Sequence, residues 1–465
     1  MKKIITLTLI VFSLGSGLRA NEGMWLPILL NQNFDEMQEM GLKLSPQDIY
    51  DVNNGSLKDA IVSFGGFCTG EIISDQGLIL TNHHCGYSAI QSHSSPENDY
   101  LSDGFWSPSL EKEIPNEDLY ARFLVRMEDV TNQVLDSLSQ DMTEKERQEK
   151  AGQVGQMIAQ QAKKGTDYSA NVRSFYHGNE FYLFVYKTYN DVRLVGAPPE
   201  SIGKFGGDTD NWMWPRHTGD FSLFRVYADS ENEPAQYAED NVPYQPKHHL
   251  PVSLKGVDQD DFTMVMGFPG GTDRFLSSHG VKQAIQHYNP TVVNIRDEKL
   301  AIMKKYMDAD KKTDIQYSSK YAQTANYWKY YIGQTEQLKE NKVHEAKKAI
   351  EDRFQEWVAQ KPERQEKYGN TLKLLREAYA QKENYVKSNV YVREAGLLGA
   401  ELPLFAYRMD RVIGRYFSTR EKMEKGLDEA ESDSAEKAVE ERYEPRLQSI
   451  KEGIKEYAQE FYGDY

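Results

Sequence analysis

The sequence predicts a mixed fold in which a β-rich N-terminal part is followed by a largely α-helical part. Short β-branched and aromatic runs bounded by turn residues lie before residue 275, whereas apolar residues at helical spacing dominate after about residue 280. Proline use changes at the same point: of the 17 prolines, those after residue 275 are Pro290, Pro362, Pro403 and Pro445. We therefore expect a β-rich domain over residues 21–275 and a helical domain over residues 276–465.

Six segments of the N-terminal part have the composition of strands. Each is short, rich in β-branched or aromatic residues and bounded by turn residues, as in a sandwich or a barrel. They are Ala60–Phe64, Cys68–Ile73, Gly77–Thr81, Phe181–Tyr189, Phe221–Tyr227 and Phe262–Gly267. The charged, glutamine-rich segment Asp141–Gly165 interrupts them and predicts a helix.

The C-terminal part predicts an antiparallel helical domain. Apolar residues recur three and four positions apart, while lysine and glutamate fill the remaining faces. Examples are Leu300, Met303, Tyr306 and Met307; Ile350, Phe354 and Trp357; and Leu372, Leu375 and Tyr379. These stripes predict core positions, and the charged segment Glu421–Glu441 predicts a solvent-exposed helix face.

The first 20 residues have the form of a secretory signal peptide. Lys2 and Lys3 precede the apolar run Ile4–Leu14, and small residues lead to a predicted cleavage site after Ala20. The run is too short to span a bilayer permanently, and no other apolar run reaches that length. The alternative is a buried N-terminal helix. We expect the mature chain to begin at Asn21, in the periplasm or at the cell surface, where a disulfide can persist.

Composition excludes two classes of partner. The 465 residues carry a formal net charge of -16, so the chain repels nucleic acid and anionic membranes. With 39% hydrophobic residues, it can bury enough core for two or three domains. Function has to be inferred from motifs instead.

Both cysteines of the chain lie in residues 66–86, GFCTGEIISDQGLILTNHHCG. If Gln76 and Gly77 are the central residues of a tight hairpin turn, residue 74 pairs with 79 and, counting on, Cys68 pairs with Cys85. This register places the two Cα atoms within disulfide range. The bond would then clamp the strand end that presents a histidine, in the fixed geometry that a general base requires.

Two alternatives to the disulfide remain at this point. The cysteines could be free buried thiols, which behave as small hydrophobic side chains. A zinc site formed by His83, His84 and Cys85 is less favoured, because adjacent side chains rarely converge on one ion and no CxxC or HExxH partner exists elsewhere.

The run LTNHHC at residues 80–85 resembles the histidine motif of chymotrypsin-like serine peptidases. Further motifs resemble the bacterial dipeptidyl peptidases 7 and 11. They are EGMWL at 22–26, GGFCTG at 65–70, GKFGGDTDNW at 203–212, WPRHTGDFS at 214–222 and GFPG at 267–270. The resemblance runs from about residue 22 to the end of the chain. It implies a chymotrypsin-like double β-barrel with a helical domain inserted between the barrels. It also implies an exported exopeptidase that removes dipeptides from the free N-terminus of oligopeptides.

The resemblance also implies roles for four residues. His84 is the general base, which takes the proton of a serine hydroxyl and returns it to the leaving amine, and Asp220 orients its imidazole. Asn211 and Trp212 match positions that hold the substrate's N-terminal ammonium, since an amide oxygen accepts from it and an indole face attracts a cation. No metal and no cofactor is expected.

Each of these residues has a plainer interpretation from sequence alone. Asp220 lies in a Thr-Gly-Asp sequence that commonly forms a turn, and Asn211 and Trp212 can be a polar turn followed by a core tryptophan. His83 is expected to be structural. Asp208 and Asp210 suggest a calcium loop, but the required spacing does not continue.

The expected nucleophile has no match in the sequence. In the chymotrypsin order it follows the aspartate in a Gly-x-Ser-Gly loop that also forms the oxyanion hole, and no such loop follows Asp220. Ser277 and Ser278 are the nearest glycine-flanked serines, but they open the helical region. Members of the family are longer and resume β structure after the helical domain. We therefore expect only the first, His- and Asp-bearing barrel here, without the second barrel and its residues for side-chain preference.

Two hypotheses follow for the function. The first is an N-terminal portion of a dipeptidyl peptidase, inactive alone because it lacks the serine nucleophile. The second is a non-catalytic secreted peptide-binding protein derived from that family. A first barrel without its partner would expose an apolar face, which predicts poor solubility or a homodimer.

Overall fold

The computed structural model describes residues 24–271, 273–430 and 432–464. The predicted signal peptide, residues 1–20, lies outside this range. The chain divides into two compact units, each assembled from separated segments. Unit 1 comprises the described residues of Met1–Ala89, Phe105–Pro198 and Phe221–Gly270, and unit 2 comprises those of Ile90–Gly104, Pro199–Asp220 and Gly271–Tyr465.

Unit 1 contains the strands of the described residues, joined in one antiparallel sheet. The strands are β1 Ile61–Phe64, β2 Cys68–Ile72, β3 Leu78–Thr81, β4 Phe105–Trp106, β5 Ile114–Asn116, β6 Ala121–Asp129, β7 Ser169–Phe175, β8 Glu180–Tyr189, β9 Asp191–Ala197, β10 Ser222–Ala228 and β11 Val242–Pro243. Their order is β4-β9-β10-β3-β2-β1-β6-β8-β7, with β11 on β10 and β5 on β9. This order places β3 between β2 and β10.

The helices of both units are α1 Phe34–Glu39, α2 Pro46–Ile49, α3 His83–Ser92, α4 Tyr100–Asp103, α5 Thr131–Leu135, α6 Glu144–Ala162, α7 Glu200–Gly203, α8 Gly207–Asp210, α9 Ser278–Gln283, α10 Asn289–Met307, α11 Lys311–Glu340, α12 Val343–Ala359, α13 Pro362–Tyr368, α14 Thr371–Tyr391, α15 Glu401–Asp428 and α16 Asp433–Asp464. Short 3₁₀ segments occupy Pro27–Gln32, Leu57–Asp59 and Leu110–Lys112, and π-helical turns occupy Ala284–Tyr288 and Val392–Leu397. The predicted fold class, a β-rich part followed by a largely helical part, is confirmed.

Strand β8 shows why unit 1 has a core on both faces of its sheet. Side chains alternate between the faces of a strand. Phe181, Leu183 and Val185 pack with Val134 of α5 and Ala159 of α6. The intervening Tyr182, Phe184 and Tyr186 pack on the opposite side, against Leu124 and Met127 of β6. Helix α6 matches the helix predicted for 141–165, and a capping box between Thr143 and Glu146 fixes its start.

One of the six predicted strands is wrong. Phe262–Gly267 does not pair with the sheet. Its side chains Phe262 and Met266 pack instead against a small cluster that includes Leu30, Met37 and Ile49. Two of the apolar residues that suggested a strand are therefore partly buried by packing against helices, without strand pairing. The strands β6, β7 and β9 were not predicted, because charged residues interrupt the pattern in each of them.

Unit 2 has its central packing between α10 and α11. Leu300, Met303 and Met307 are buried with Ala325 of α11, as the helical spacing predicts. The prediction that every apolar stripe is core is wrong for several positions, which are exposed: Tyr306, Ile350, Trp357 and Leu375. Helical spacing defines a face, but only part of that face meets another helix.

The charged segment predicted as one helix face is divided. Helix α15 ends at Asp428 and α16 begins at Asp433, so the predicted helix face over residues 421–441 is shared between two helices. Among the described residues, none of the helices combines the length and apolarity needed to cross a membrane.

Candidate active site

The predicted disulfide is present, and it joins β2 to α3. Cys68 opens β2 and Cys85 lies in the first turn of α3, with 6.0 Å between their Cα atoms. The hairpin register differs from the predicted one, because Ile72 pairs with Ile79 rather than residue 74 with 79. Ile73 N donates to Leu78 O at 2.9 Å, which leaves a four-residue turn instead of a two-residue turn.

Two local features set this longer turn. The Ser74 hydroxyl accepts from the backbone N–H groups of Gln76 and Leu78, so the side chain replaces a backbone partner inside the turn. Gly77 adopts a φ of 64°, a left-handed conformation that favours glycine.

His84 lies on a helix and not on a strand end, which corrects the sequence prediction. Strand β3 ends at Thr81, and α3 begins at His83. The carbonyl of Asn82 accepts from the N–H groups of Cys85 and Gly86 at 3.2 Å each, and from the Ser222 hydroxyl at 2.8 Å. The chain therefore turns directly from strand to helix, and the turn is tied to β10.

The two histidines differ sharply in burial. His83 is 1% exposed, and its ring meets Tyr87 edge-on, with 5.7 Å between ring centroids. The His84 side chain, by contrast, is exposed. One donor atom of each of His84, Cys68 and Cys85 falls within 4.8 Å of the others. Because both sulfurs are in a disulfide, they are not the thiolates that a zinc ion requires.

Two threonines near the disulfide connect β3 to β2 and β2 to the segment at residues 267–270. The Thr81 hydroxyl donates to Thr69 O at 2.7 Å, and the Thr69 hydroxyl accepts from Phe268 N at 2.8 Å. The GFPG motif at residues 267–270 is thereby fixed against β2, next to Cys68. A β-carbon on Gly267 would lie 2.7 Å from the Thr69 hydroxyl oxygen, so only glycine fits there.

Asp220 lies two residues before β10, at the end of a segment of unit 2. That segment is held by Gly219 N, which donates to Ile202 O at 3.0 Å, and by the Thr218 hydroxyl, which donates to Gly203 O at 3.2 Å. The Asp220 side chain is partly buried. His84 belongs to unit 1, so the two predicted catalytic residues lie in different units.

Asn211 and Trp212 are brought together on one face of α11 in unit 2. Asn211 Nδ2 donates to Asn326 Oδ1 at 2.8 Å, and Trp212 Nε1 donates to Asn326 O at 2.9 Å. Asn211 Oδ1 accepts from Arg216 Nη1 at 3.1 Å, and the Trp212 ring lies 5.0 Å from that of Tyr330. The alternative of a core tryptophan is not supported, because Trp212 is 53% exposed.

The backbone of this loop is strained at Trp212. Its φ of 59° lies in the left-handed region, which a bulky residue rarely adopts. Such strain costs roughly 1–3 kcal/mol and persists where the surroundings over-determine the conformation. The two hydrogen bonds to Asn326 contribute to that constraint.

Sequence reasoning missed Asn326 and Lys329, the residues of α11 that hold this loop. The Lys329 ammonium donates to the carbonyls of Asp208 and Thr209. The available signal was weak. Asn326 and Lys329 are a polar pair three residues apart within the tyrosine-rich sequence YAQTANYWKYY, on one helix face.

An antiparallel sheet whose disulfide fixes a Thr-Asn-His-His-Cys turn agrees with the histidine motif of chymotrypsin-like serine peptidases that residues 80–85 resemble. The Peptidase S46 family model matches residues 20–460. The chain belongs to the peptidase S46 family, which confirms the resemblance to the bacterial dipeptidyl peptidases 7 and 11.

Two curated relatives show how close this relationship is. The Asp/Glu-specific dipeptidyl-peptidase of Flavobacterium psychrophilum is 49% identical over 389 residues, 83% of this chain and 54% of the relative. Dipeptidyl-peptidase 7 of Capnocytophaga gingivalis is 46% identical over 392 residues, 84% of this chain and 54% of the relative. The chain thus spans about half the length of the curated relatives it matches.

A solved structure supports the fold as well. The crystal structure of Porphyromonas endodontalis DPP11 in complex with dipeptide Arg-Glu matches with a TM-score of 0.74 and 34% identity. The match covers 95% of this chain and 60% of that one. The sheet and the helical region described above therefore recur together in a relative that was solved with a bound dipeptide.

Proposed function

We propose that this chain carries the histidine and the substrate-anchoring parts of a serine-type dipeptidyl peptidase, which releases dipeptides from the free N-terminus of oligopeptides. The observation that carries this proposal is the cluster of Asn211, Trp212 and Asn326. Asn211 Oδ1 accepts one hydrogen bond from Arg216 and keeps a second lone pair for an ammonium group, and the exposed indole of Trp212 lies beside it. An enzyme that cleaves after the second residue of a peptide has to bind the free N-terminus at a fixed distance from the catalytic residues, and this anchor would provide that binding.

His84 is the proposed general base and Asp220 its orienting partner. The support comes from the strands of unit 1, where β3 and β10 pair with Thr81 opposite Ser222. His84 follows Thr81 by three residues, and Asp220 precedes Ser222 by two. In the catalytic role, Asp220 would fix the tautomer of His84 and stabilise its protonated form.

The nucleophile is proposed to come from sequence other than these 465 residues. No Gly-x-Ser-Gly loop follows Asp220. The nearest candidates have other roles, because Ser277 caps α9 and the buried Ser278 hydroxyl donates to Glu351 at 2.7 Å. The chain by itself is then expected to bind a dipeptide without hydrolysing a peptide bond.

Binding of the dipeptide Arg-Glu, followed by calorimetry, tests the proposed anchor. We expect the purified chain to bind Arg-Glu and to lose most of that affinity when the N-terminus is acetylated, because acetylation removes the ammonium charge. Trp212→Ala should weaken binding about tenfold or more, since it removes the indole face. Trp214→Ala is the matched control, an exposed tryptophan of the same loop, and should bind as the unaltered chain does. Equal affinity for free and acetylated Arg-Glu would refute the anchor.

Turnover of dipeptidyl-naphthylamide substrates tests the proposed origin of the nucleophile. We expect no hydrolysis above the buffer rate, since removing the nucleophile removes the covalent route. Robust hydrolysis that a serine-directed fluorophosphonate abolishes would show that the nucleophile lies in this chain.

A second candidate function is a secreted peptide-binding protein without catalysis. The absence of a Gly-x-Ser-Gly sequence is the observation that favours it. The two functions differ in the genomic reading frame beyond residue 465. A continuation into strand-rich sequence with Gly-x-Ser-Gly supports the peptidase, whereas a clean stop supports the binding protein.

We also propose that the chain is exported and cleaved after Ala20. The Cys68–Cys85 disulfide supports an oxidising compartment, because such bonds are rare in the reducing cytosol. The mass of the protein recovered from a periplasmic or surface fraction should match a chain that begins at Asn21. A full-length mass in the cytosolic fraction would contradict export.

A further inference from the structure

Helix α11 contacts the loop at residues 206–216 in two separate ways. Asn326 holds the side chains of Asn211 and Trp212, whereas Lys329 holds the backbone just before them. Tyr330 adds a ring contact to Trp212. Residues three and four apart in sequence share one face of a helix. The three side chains Asn326, Lys329 and Tyr330 therefore form one surface that carries the loop.

Lys329 supplies hydrogen bonds that helix α8 cannot make within itself. Helix α8 has only four residues, Gly207–Asp210, so its last carbonyls have no partner within the helix. The Lys329 ammonium satisfies the carbonyls of Asp208 and Thr209 together. A positive charge at the C-terminal end of a helix is also favourable because the backbone dipoles point their negative ends there.

We propose that Lys329 is a positioning residue for the anchor of the substrate's N-terminus. It fixes the direction in which the chain leaves α8, and the next two residues are Asn211 and Trp212. The left-handed backbone of Trp212 is costly, so the loop needs such a constraint to keep that conformation before substrate arrives. A preformed anchor binds more tightly because less conformational freedom is lost on binding. This inference rests on the proposed function of Asn211 and Trp212.

Lys329→Met tests the proposal, because it keeps the length of the side chain and removes the donors. Lys329→Arg keeps donors and charge and should restore most of the function. Lys339→Met is the matched control, since Lys339 is an exposed lysine of the same helix. Each variant is compared with the unaltered chain in two measurements, hydrogen exchange of the peptide covering residues 205–216 and calorimetric binding of Arg-Glu and its N-acetylated form.

We expect faster amide exchange in the loop of Lys329→Met, with exchange in the rest of α11 unchanged. Its affinity for Arg-Glu should fall about tenfold, as for a lost charged hydrogen bond, while the weak affinity for acetylated Arg-Glu stays the same. A merely structural role would lower the thermal midpoint without changing the preference for a free N-terminus.

The proposal would be overturned if Lys329→Met showed the same amide exchange in residues 205–216 and the same preference for free over acetylated Arg-Glu as the unaltered chain. The same holds if Lys339→Met produces an equal effect. If the unaltered chain binds no dipeptide, the proposed function fails, and the exchange measurement still decides whether Lys329 orders the loop.

Discussion

Gly86 shows how little space separates the first turn of α3 from the sheet. A β-carbon at this position would lie 2.7 Å from the Ser222 hydroxyl oxygen and 2.9 Å from Phe224 Cε2. Both residues are fully buried, and the Ser222 hydroxyl is held by Asn82 O. We expect Gly86→Ala to lower the free energy of unfolding by about 1–3 kcal/mol, the usual cost of overpacking. Urea denaturation measures the change.

Gly152 provides the control for this substitution. It lies on the exposed face of α6, and a β-carbon there meets no atom within 4 Å. Gly152→Ala should raise the free energy of unfolding by about 0.5–1 kcal/mol, because alanine restricts the unfolded chain and favours the helix. Similar losses for both variants would show that packing against Ser222 does not limit Gly86.

At the scale of elements, the disulfide ties the start of β2 to α3. The two cysteines are 17 positions apart, and closing a loop of that length stabilises a protein by about 3 kcal/mol in the chain-entropy model. We expect the double variant Cys68→Ala/Cys85→Ala to lose about that much stability in urea denaturation. Reduction of the unaltered protein should produce a similar loss.

The disulfide is also expected to fix the turn that carries His84. Alkylation without reduction provides the direct check on the bond, since it should label neither cysteine of the native protein. Two labelled cysteines would contradict the bond, and an unaltered stability after reduction would contradict its contribution.

A second link between elements predicts a pH dependence. Asp99 and Gln91 fix residues 90–104 to α11, through Lys311 and through Gln316 and Ser319. Burial raises the pKa of Asp99, but the hydrogen bonds from Lys311 and Ser102 and the charge of Lys311 outweigh it and hold the pKa below the ordinary value of an aspartate. A lowered folded-state pKa stabilises the protein above the unfolded-state value of about 3.9. This contribution is lost as the pH falls through the folded-state pKa.

Asp99→Asn should therefore weaken the loss of stability below pH 4, because the amide cannot be protonated in that range. The measurement is the thermal midpoint as a function of pH. Asp103→Asn is the control, since Asp103 is an exposed residue of the short helix α4 that Asp99 caps. If Asp99→Asn and Asp103→Asn have identical pH profiles, the Asp99–Lys311 pair does not contribute to acid stability.

At the scale of the whole molecule, apolar side chains in residues 252–265 predict self-association. Val252, Leu254, Val257 and Val265 are exposed in this one segment of unit 1, and Leu254 is 96% exposed. Several large apolar side chains exposed to solvent in one short segment favour contact with other molecules. We expect light scattering to show a mass that rises with protein concentration, and Leu254→Ser/Val265→Ser to reduce that rise.

Met157→Ser is the control for surface hydrophobicity in general. Met157 is exposed on α6, away in sequence from this segment. The substitution should leave the association unchanged. A constant monomer mass at all concentrations would contradict the prediction.

Part of this molecule follows from local sequence. The position of α6 follows from its capping box, and the buried positions Leu300, Met303 and Met307 follow from helical spacing. Both properties depend on residues within one or two helical turns. The predicted register of the β2–β3 hairpin, by contrast, was wrong, because the hydrogen bonds of the Ser74 side chain stabilise a longer turn. An error in the length of a turn shifts every pair of residues that face each other across the two strands.

Composition and short motifs were sufficient to predict the order of the two structural classes and the family, and the single pair of cysteines indicated the disulfide. Proline use, spacing and a single pair of cysteines are properties of neighbouring residues or of composition. The folded chain, in contrast, was needed to show that His84 lies on a helix and that Trp212 is exposed. It also brought Asn326 to Asn211, 115 residues away, and Lys329 to the carbonyls of α8. Such contacts depend on the path of the chain between the residues, which no local preference specifies.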